Sequence, residues 1–181
     1  MQATDVLEHE HEIILLVLGA AEQEVKSIAA GGKVNAERVG KMLDLFQNFV
    51  DKCHHAKEEK HLFVMLEQRG LPRDKGPVSV VLQEHEQGRR RVRAVADALD
   101  RAAKGDPDAA RAVKENLWVY LKLLREHIKK ENEVLFPMIN KRLRPDDQEE
   151  LELAFEQVEA EEMGEGVHEK YHALAHELAG E

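Results

Sequence analysis

One pattern occurs twice in this chain, and it restricts the possible folds more than any other feature. The segment HHAKEEKHLF, from His54, aligns with HIKKENEVLF, from His127. Each has lysine and glutamate at the third and fourth positions after the histidine and ends in leucine-phenylalanine, Leu62–Phe63 and Leu135–Phe136. The stretch before each matches as well. Glu10–His11 opens EHEIILLVL, and Glu84–His85 opens EHEQGRRRV. The intervals agree: 43 positions from His11 to His54 and 42 from His85 to His127. A helix pair carrying His, then His-x-x-x-Glu, has been used twice.

Helical periodicity runs almost throughout, and strand signals are nearly absent. Hydrophobic residues make up 43%, aromatics 4% and charged residues 34%, a balance suited to amphipathic helices. AAGGKVN ends a first helix of about residues 3–30, and Asn35 is a good N-cap for the second. RGLPRDKGP closes that helix near Arg69. A third runs from about Val78 to Lys104, after which Asp106–Pro107 reads as an N-cap with a first-turn proline. The fourth reaches about Leu143, and Pro137 inside it predicts a kink or an early stop. An acidic helix follows RPDD, then Gly164 and Gly166, then VHEKYHALAHEL. Short connections favour antiparallel neighbours. The expectation is an all-α protein: an up-down-up-down antiparallel four-helix bundle over residues 1–143, with residues 144–181 as a C-terminal helical extension packed on it. A length of 181 residues fits a single core.

Residues four apart on a helix share a face. His54/Glu58 and His127/Glu131 therefore each offer an imidazole and a carboxylate side by side. His54 is followed by His55, which also has a glutamate four residues on, Glu59. Register against Leu-Phe selects His54/Glu58 as the counterpart of His127/Glu131, leaving His55 and Glu59 to support the site through hydrogen bonds. All four histidines lie in apolar stripes: Leu7–His11–Ile14–Leu18; Phe46–Val50–His54 continuing to Leu62; Val81–His85–Val92; and Leu123–His127–Val134. A lone core histidine is commonplace, and so is a surface His-x-x-x-Glu pair. Two glutamates aimed into a core beside four histidines are not, because an unpaired buried carboxylate is costly. The joint pattern points to metal. Imidazole and carboxylate without thiolate suit iron, manganese or zinc. Two symmetric sets favour a dinuclear site, with iron first and manganese second.

Net charge is -10, which argues against nucleic acid or an anionic membrane as partner. No apolar run approaches the roughly 20 residues that span a bilayer. MQATDVLEHEHE lacks the features of a signal peptide, and Cys53 is the only cysteine, so a reducing cytoplasm is the expected compartment. Cys53 itself reads as a buried, inert thiol.

EHEHEIILLVL, CHHAKEEKHLF, LQEHEQGR and LREHIKKENEVLFPM, in that order, resemble the four helix signatures of the hemerythrin-like, or HHE cation-binding, family over about residues 5–142. The resemblance implies that His11, His54, Glu58, His85, His127 and Glu131 ligate two irons. The glutamates and an oxo or hydroxo group would bridge them, and an open position would take dioxygen. Oxygen-carrying hemerythrins supply five histidines, two as H-x-x-x-H on the third helix, where this chain has Arg89. They also place an aspartate at i+5 where Glu131 stands at i+4. The tail GEGVHEKYHALAHEL resembles that of a bacterial branch, so His168 would fold back as the replacement ligand, with Tyr171 or His172 beside it. Gly88, one turn past His85, would leave room for a diatomic ligand or allow close helix packing.

The function expected is binding of dioxygen or a related small oxidant, in sensing, storage or detoxification. The alternatives are an enzyme acting on peroxide or nitric oxide and a metal-dependent regulatory protein. HEKYH, from His168, also fits the zinc-protease pattern H-E-x-x-H, but no third zinc ligand accompanies it. Ferritin-like oxidases carry E-x-x-H, the reverse of the order found here.

Overall fold

The computed structural model describes residues 2–164 and 166–180. All regular structure among these residues is helical. Six helices follow in order: α1 (Ala3–Ala29), α2 (residues 36–68), α3 (Gly76–Ala103), α4 (residues 107–140), α5 (Pro145–Glu162) and α6 (Val167–Ala179). None of them is long and apolar enough to cross a membrane.

The punctuation works as its chemistry dictates. Asn35 accepts from the Arg38 N–H at 3.0 Å to start α2. Asp106 accepts from the Asp108 and Ala109 N–H groups at 2.9 and 3.1 Å to start α4. Gly166, at φ 76°, takes the left-handed conformation that turns the chain into α6. Pro137 does not stop α4, which continues to Asn140. A π-helical stretch, Glu131–Leu135, precedes it, so the proline falls in the first turn of a fresh α-helical segment, where its missing N–H matters least. Helix α2 is likewise π-helical over Leu45–His55 and Glu58–Leu62. His54, Glu58 and Glu131 therefore sit on widened turns, a device concentrated at functional sites, while His127 stays on regular α-helix.

Helix α3 lies along α4, α1 contacts α4 and α6, and α2 packs against α3 and α5. The apolar interior falls into two main parts. One contains Ile14, Leu18, Phe46, Phe49, Val95, Leu121 and Tyr171, and draws on α1–α4 and α6. The other contains Leu7, Phe63, Val78, Phe136, Leu151 and Phe155, and brings in α5. Between them along each of the first four helices lies the layer of buried polar residues: Glu10 and His11; His54, His55, Lys57 and Glu58; His85; and His127 and Glu131.

Candidate metal centre

His11, His54, His85 and His127 are each 1% exposed, and Glu58 and Glu131 are fully buried. One histidine comes from each of the first four helices, and their Nε2 atoms converge in two pairs. His11 and His54 stand 3.0 Å apart, Nε2 to Nε2; His85 and His127 stand 3.3 Å apart. The glutamates span the pairs. Glu58 directs Oε1 toward His54 Nε2 at 3.9 Å and Oε2 toward His85 Nε2 at 3.3 Å. Glu131 Oε2 lies 3.2 Å from the Nε2 atoms of both His11 and His127. Neither carboxylate makes a hydrogen bond through either oxygen. A buried carboxylate left without hydrogen bonds costs several kcal/mol, only partly offset by nearby imidazoles, and a cation among these atoms removes that cost. Two sets have ligand atoms mutually within 4.8 Å: His11, His54, Glu58 and Glu131, and His55, Glu58, His85 and His127.

The reverse side of each ring is held just as systematically. His54 Nδ1 meets Glu10 Oε2 at 2.8 Å, and His127 Nδ1 meets Glu84 Oε2 at 2.9 Å. Lys57 pairs with Glu10 and Lys130 with Glu84. His11 Nδ1 meets Asn132 Oδ1 at 2.6 Å, and His85 Nδ1 meets Glu59 Oε1 at 2.7 Å. An imidazole whose Nδ1 donates to an oxygen keeps its Nε2 lone pair free for a metal and its ring fixed in direction. These supports follow the duplication: the glutamate before the lone histidine, the lysine before the inward glutamate, and the residue after it. The repeat displays them all, although of this set only Glu59 stands out as a support from the sequence.

The electrostatics fit a site that exchanges protons for a cation. Burial and the neighbouring Glu131 push Glu58 up to about 8. Burial alone would raise Glu131 as well, but His127 and His11 hold it well below the usual carboxylate range. Burial alone would lower His127, yet Glu131, Glu84 and Glu58 carry it up to about 10. Metal ligands bind in their deprotonated forms, so occupancy by a cation releases protons.

His168 does not join either set. Its Nε2 lies 3.4 Å from Glu10 Oε1, and with Glu10 and Glu159 it forms a third group behind His54. The Lys57 ammonium already lies among these carboxylates, 2.5 Å from Glu159. Helix α6 thus reaches the carboxylate that supports His54 rather than the Nε2 atoms of the layer. The Tyr171 hydroxyl donates to Asp44 Oδ1 at 3.3 Å, and His172 packs against Phe49 and His168. Cys53 is buried beside Ala56 and Val158, and burial pushes its thiol up to about 12, as befits an inert side chain. Gly88 packs closely and also borders open space. A Cβ there would stand 3.3 Å from the Tyr120 ring, and Gly88 also lines a cavity of about 90 Å³ that reaches His55 and His85.

The family model for the hemerythrin HHE cation-binding domain matches residues 2–139, which take in all six inward ligand candidates. The chain belongs to the hemerythrin HHE family. Its hemerythrin domain is also similar to uncharacterized proteins of Mycobacterium tuberculosis and Mycobacterium bovis, at 25% identity over 137 residues. That alignment covers 76% of this chain and 53% of each relative, so the chain spans about half the length of the curated proteins it matches. No solved structure matches it significantly. Membership implies a bound cation, and the His and Glu clusters of this hemerythrin domain fit one.

Proposed function

We propose that His11, His54, Glu58, His85, His127 and Glu131 hold two iron ions in an antiparallel up-down-up-down bundle, and that the centre binds dioxygen or a related small oxidant. The observation that carries this reading is the pair of buried glutamates, each spanning both histidine pairs, with no hydrogen-bond partner for any carboxylate oxygen. Imidazole with carboxylate and no thiolate favours iron, with manganese second. Such an ion pair supplies electrons to a small oxidant and a position at which to hold it. The protein's own part is to fix the rings through Nδ1, exclude bulk water with apolar packing on both sides, and move protons at Glu58.

A catalytic reading, reduction of peroxide, is favoured by one feature. A buried ionic chain runs from His54 through Glu10 to Lys57, Glu159 and the half-buried His168, and such a reaction consumes protons.

Iron content and the absorption spectrum of aerobically purified protein test the proposal. About two irons per chain, with near-ultraviolet charge-transfer bands, are expected for a dinuclear centre. Glu58→Ala and Glu131→Ala abolish stoichiometric loading, whereas His9→Ala, on the surface, leaves it intact. Equal loading in all three variants overturns the ligand assignment.

A further inference from the structure

Among the described buried histidines, only His55 falls outside the duplicated ligand pattern; its counterpart in the second half, Ile128, belongs to the apolar core. His55 is 4% exposed, and neither ring nitrogen has a hydrogen-bond partner. Each buried polar group left unmatched costs about 1–3 kcal/mol, so an orphaned ring inside a protein calls for an explanation.

Its surroundings supply one. The His55 ring lies face to face with His85, centroids 3.7 Å apart, and edge-on to His127 at 5.9 Å. One of its nitrogens comes within 4.8 Å of the ligand atoms of Glu58, His85 and His127, the same compactness that His11, His54, Glu58 and Glu131 show across the layer. The four other inward rings turn Nε2 to the centre and Nδ1 to an oxygen. His55 follows the same plan more loosely, with Nδ1 3.5 Å from Asp51 Oδ1. Arg89 fixes that carboxylate through Nε at 2.7 Å and holds Glu59, the support of His85, at 2.6 Å. Arg89 stands where oxygen carriers have a further histidine, and here it braces the carboxylates behind His55 and His85.

We propose that His55 is a fifth histidine ligand, completing the half of the centre formed by His85 and His127. The inference rests on the proposed iron centre. It makes the halves unequal, with three imidazoles on one side and two on the other.

The test uses the full chain, reconstituted anaerobically with ferrous iron-57 and examined by Mössbauer spectroscopy and chelator competition. Wild type is expected to show two distinct ferrous environments. His55→Gln makes them more alike and weakens one iron by roughly tenfold or more, at least the loss typical of disturbing a ligand's support. His55→Gly, with helicity matching wild type, loses the distinction too, and added imidazole restores both spectrum and affinity, which a merely structural role would not produce. Wild-type spectrum and affinity in His55→Gln, or no response of His55→Gly to imidazole, overturn the assignment. A wild-type chain that takes up no iron removes the centre itself, an outcome distinct from losing His55 alone.

Discussion

The two halves of the centre share their plan and differ in their cover. Around His11 and His54 the supports are sealed: Glu10 is 1% exposed, Lys57 is fully buried, and α5 and α6 lie over them through Glu159 and His168. Around His85 and His127 the equivalent Glu84–Lys130 pair faces solvent, with the lysine 45% exposed. The apolar fill differs in the same sense. Ile14, one turn past His11, is buried in the core, whereas its counterpart Gly88 borders a cavity. The inward residues match between the halves, while the periphery differs, closed on one side and open to solvent on the other.

The largest expected contrast is between the two lysines. Lys57→Ala leaves the buried Glu10 carboxylate without its ammonium, beside the partly exposed Glu159, for a loss of about 3–5 kcal/mol in denaturant unfolding. Lys130→Ala removes an exposed pair worth at most about 1 kcal/mol. Equal losses would break the distinction between closed and open halves.

The pH dependence of iron binding comes next. Below its pKa of about 8, Glu58 holds a proton that a cation must displace. Apparent affinity therefore rises with pH, by about tenfold per unit for each proton released. Chelator competition at pH 6, 7 and 8 measures that slope, and a flat profile would mean that neither Glu58 nor His127, itself held up to about 10, gives up a proton to the cation.

Gly88→Ala addresses the open half. Its Cβ crowds Tyr120, but the variant gains about 1 kcal/mol of helix propensity, so melting temperature changes little. Stopped-flow binding of azide slows, and an unchanged rate would remove the cavity as the entry path.

The smallest effect concerns the cover of the closed half. Arg69 Nη2 holds Asp147 Oδ1 at 2.5 Å, tying the start of α5 to the residue that ends α2. The bond to Arg69 and the Arg144 N–H hold Asp147 down to about 2, so its stabilisation is complete above the ordinary aspartate range and disappears as pH falls toward 2. Asp147→Asn lowers the melting temperature slightly at neutral pH, and the gap from wild type closes on acidification. A constant gap would mean that packing, not charge, is lost.

What could be read without coordinates follows from periodicity. His11, His54, His85 and His127 stood on apolar stripes, and i,i+4 spacing placed Glu58 and Glu131 beside two of them. The placement of His168 was not legible: two glycines precede α6, and their freedom erases the direction in which the helix leaves. Register against Leu-Phe gives His55 only a supporting place, and its counterpart is Ile128, so self-similarity hides whatever one half has alone. The π-helical turns were equally hidden, since local propensity does not encode them and packing around the ligands does.

The polar layer that divides the apolar interior has a consequence for cooperativity. A core split by ionisable groups transmits unfolding poorly from one part to the other, and the parts become separate units of local opening. An ion held by the His and Glu groups of all four long helices would tie those units together. Hydrogen exchange in the two regions then becomes synchronous when the centre is filled and staggered when it is stripped, so the cation governs how much of the molecule moves at once.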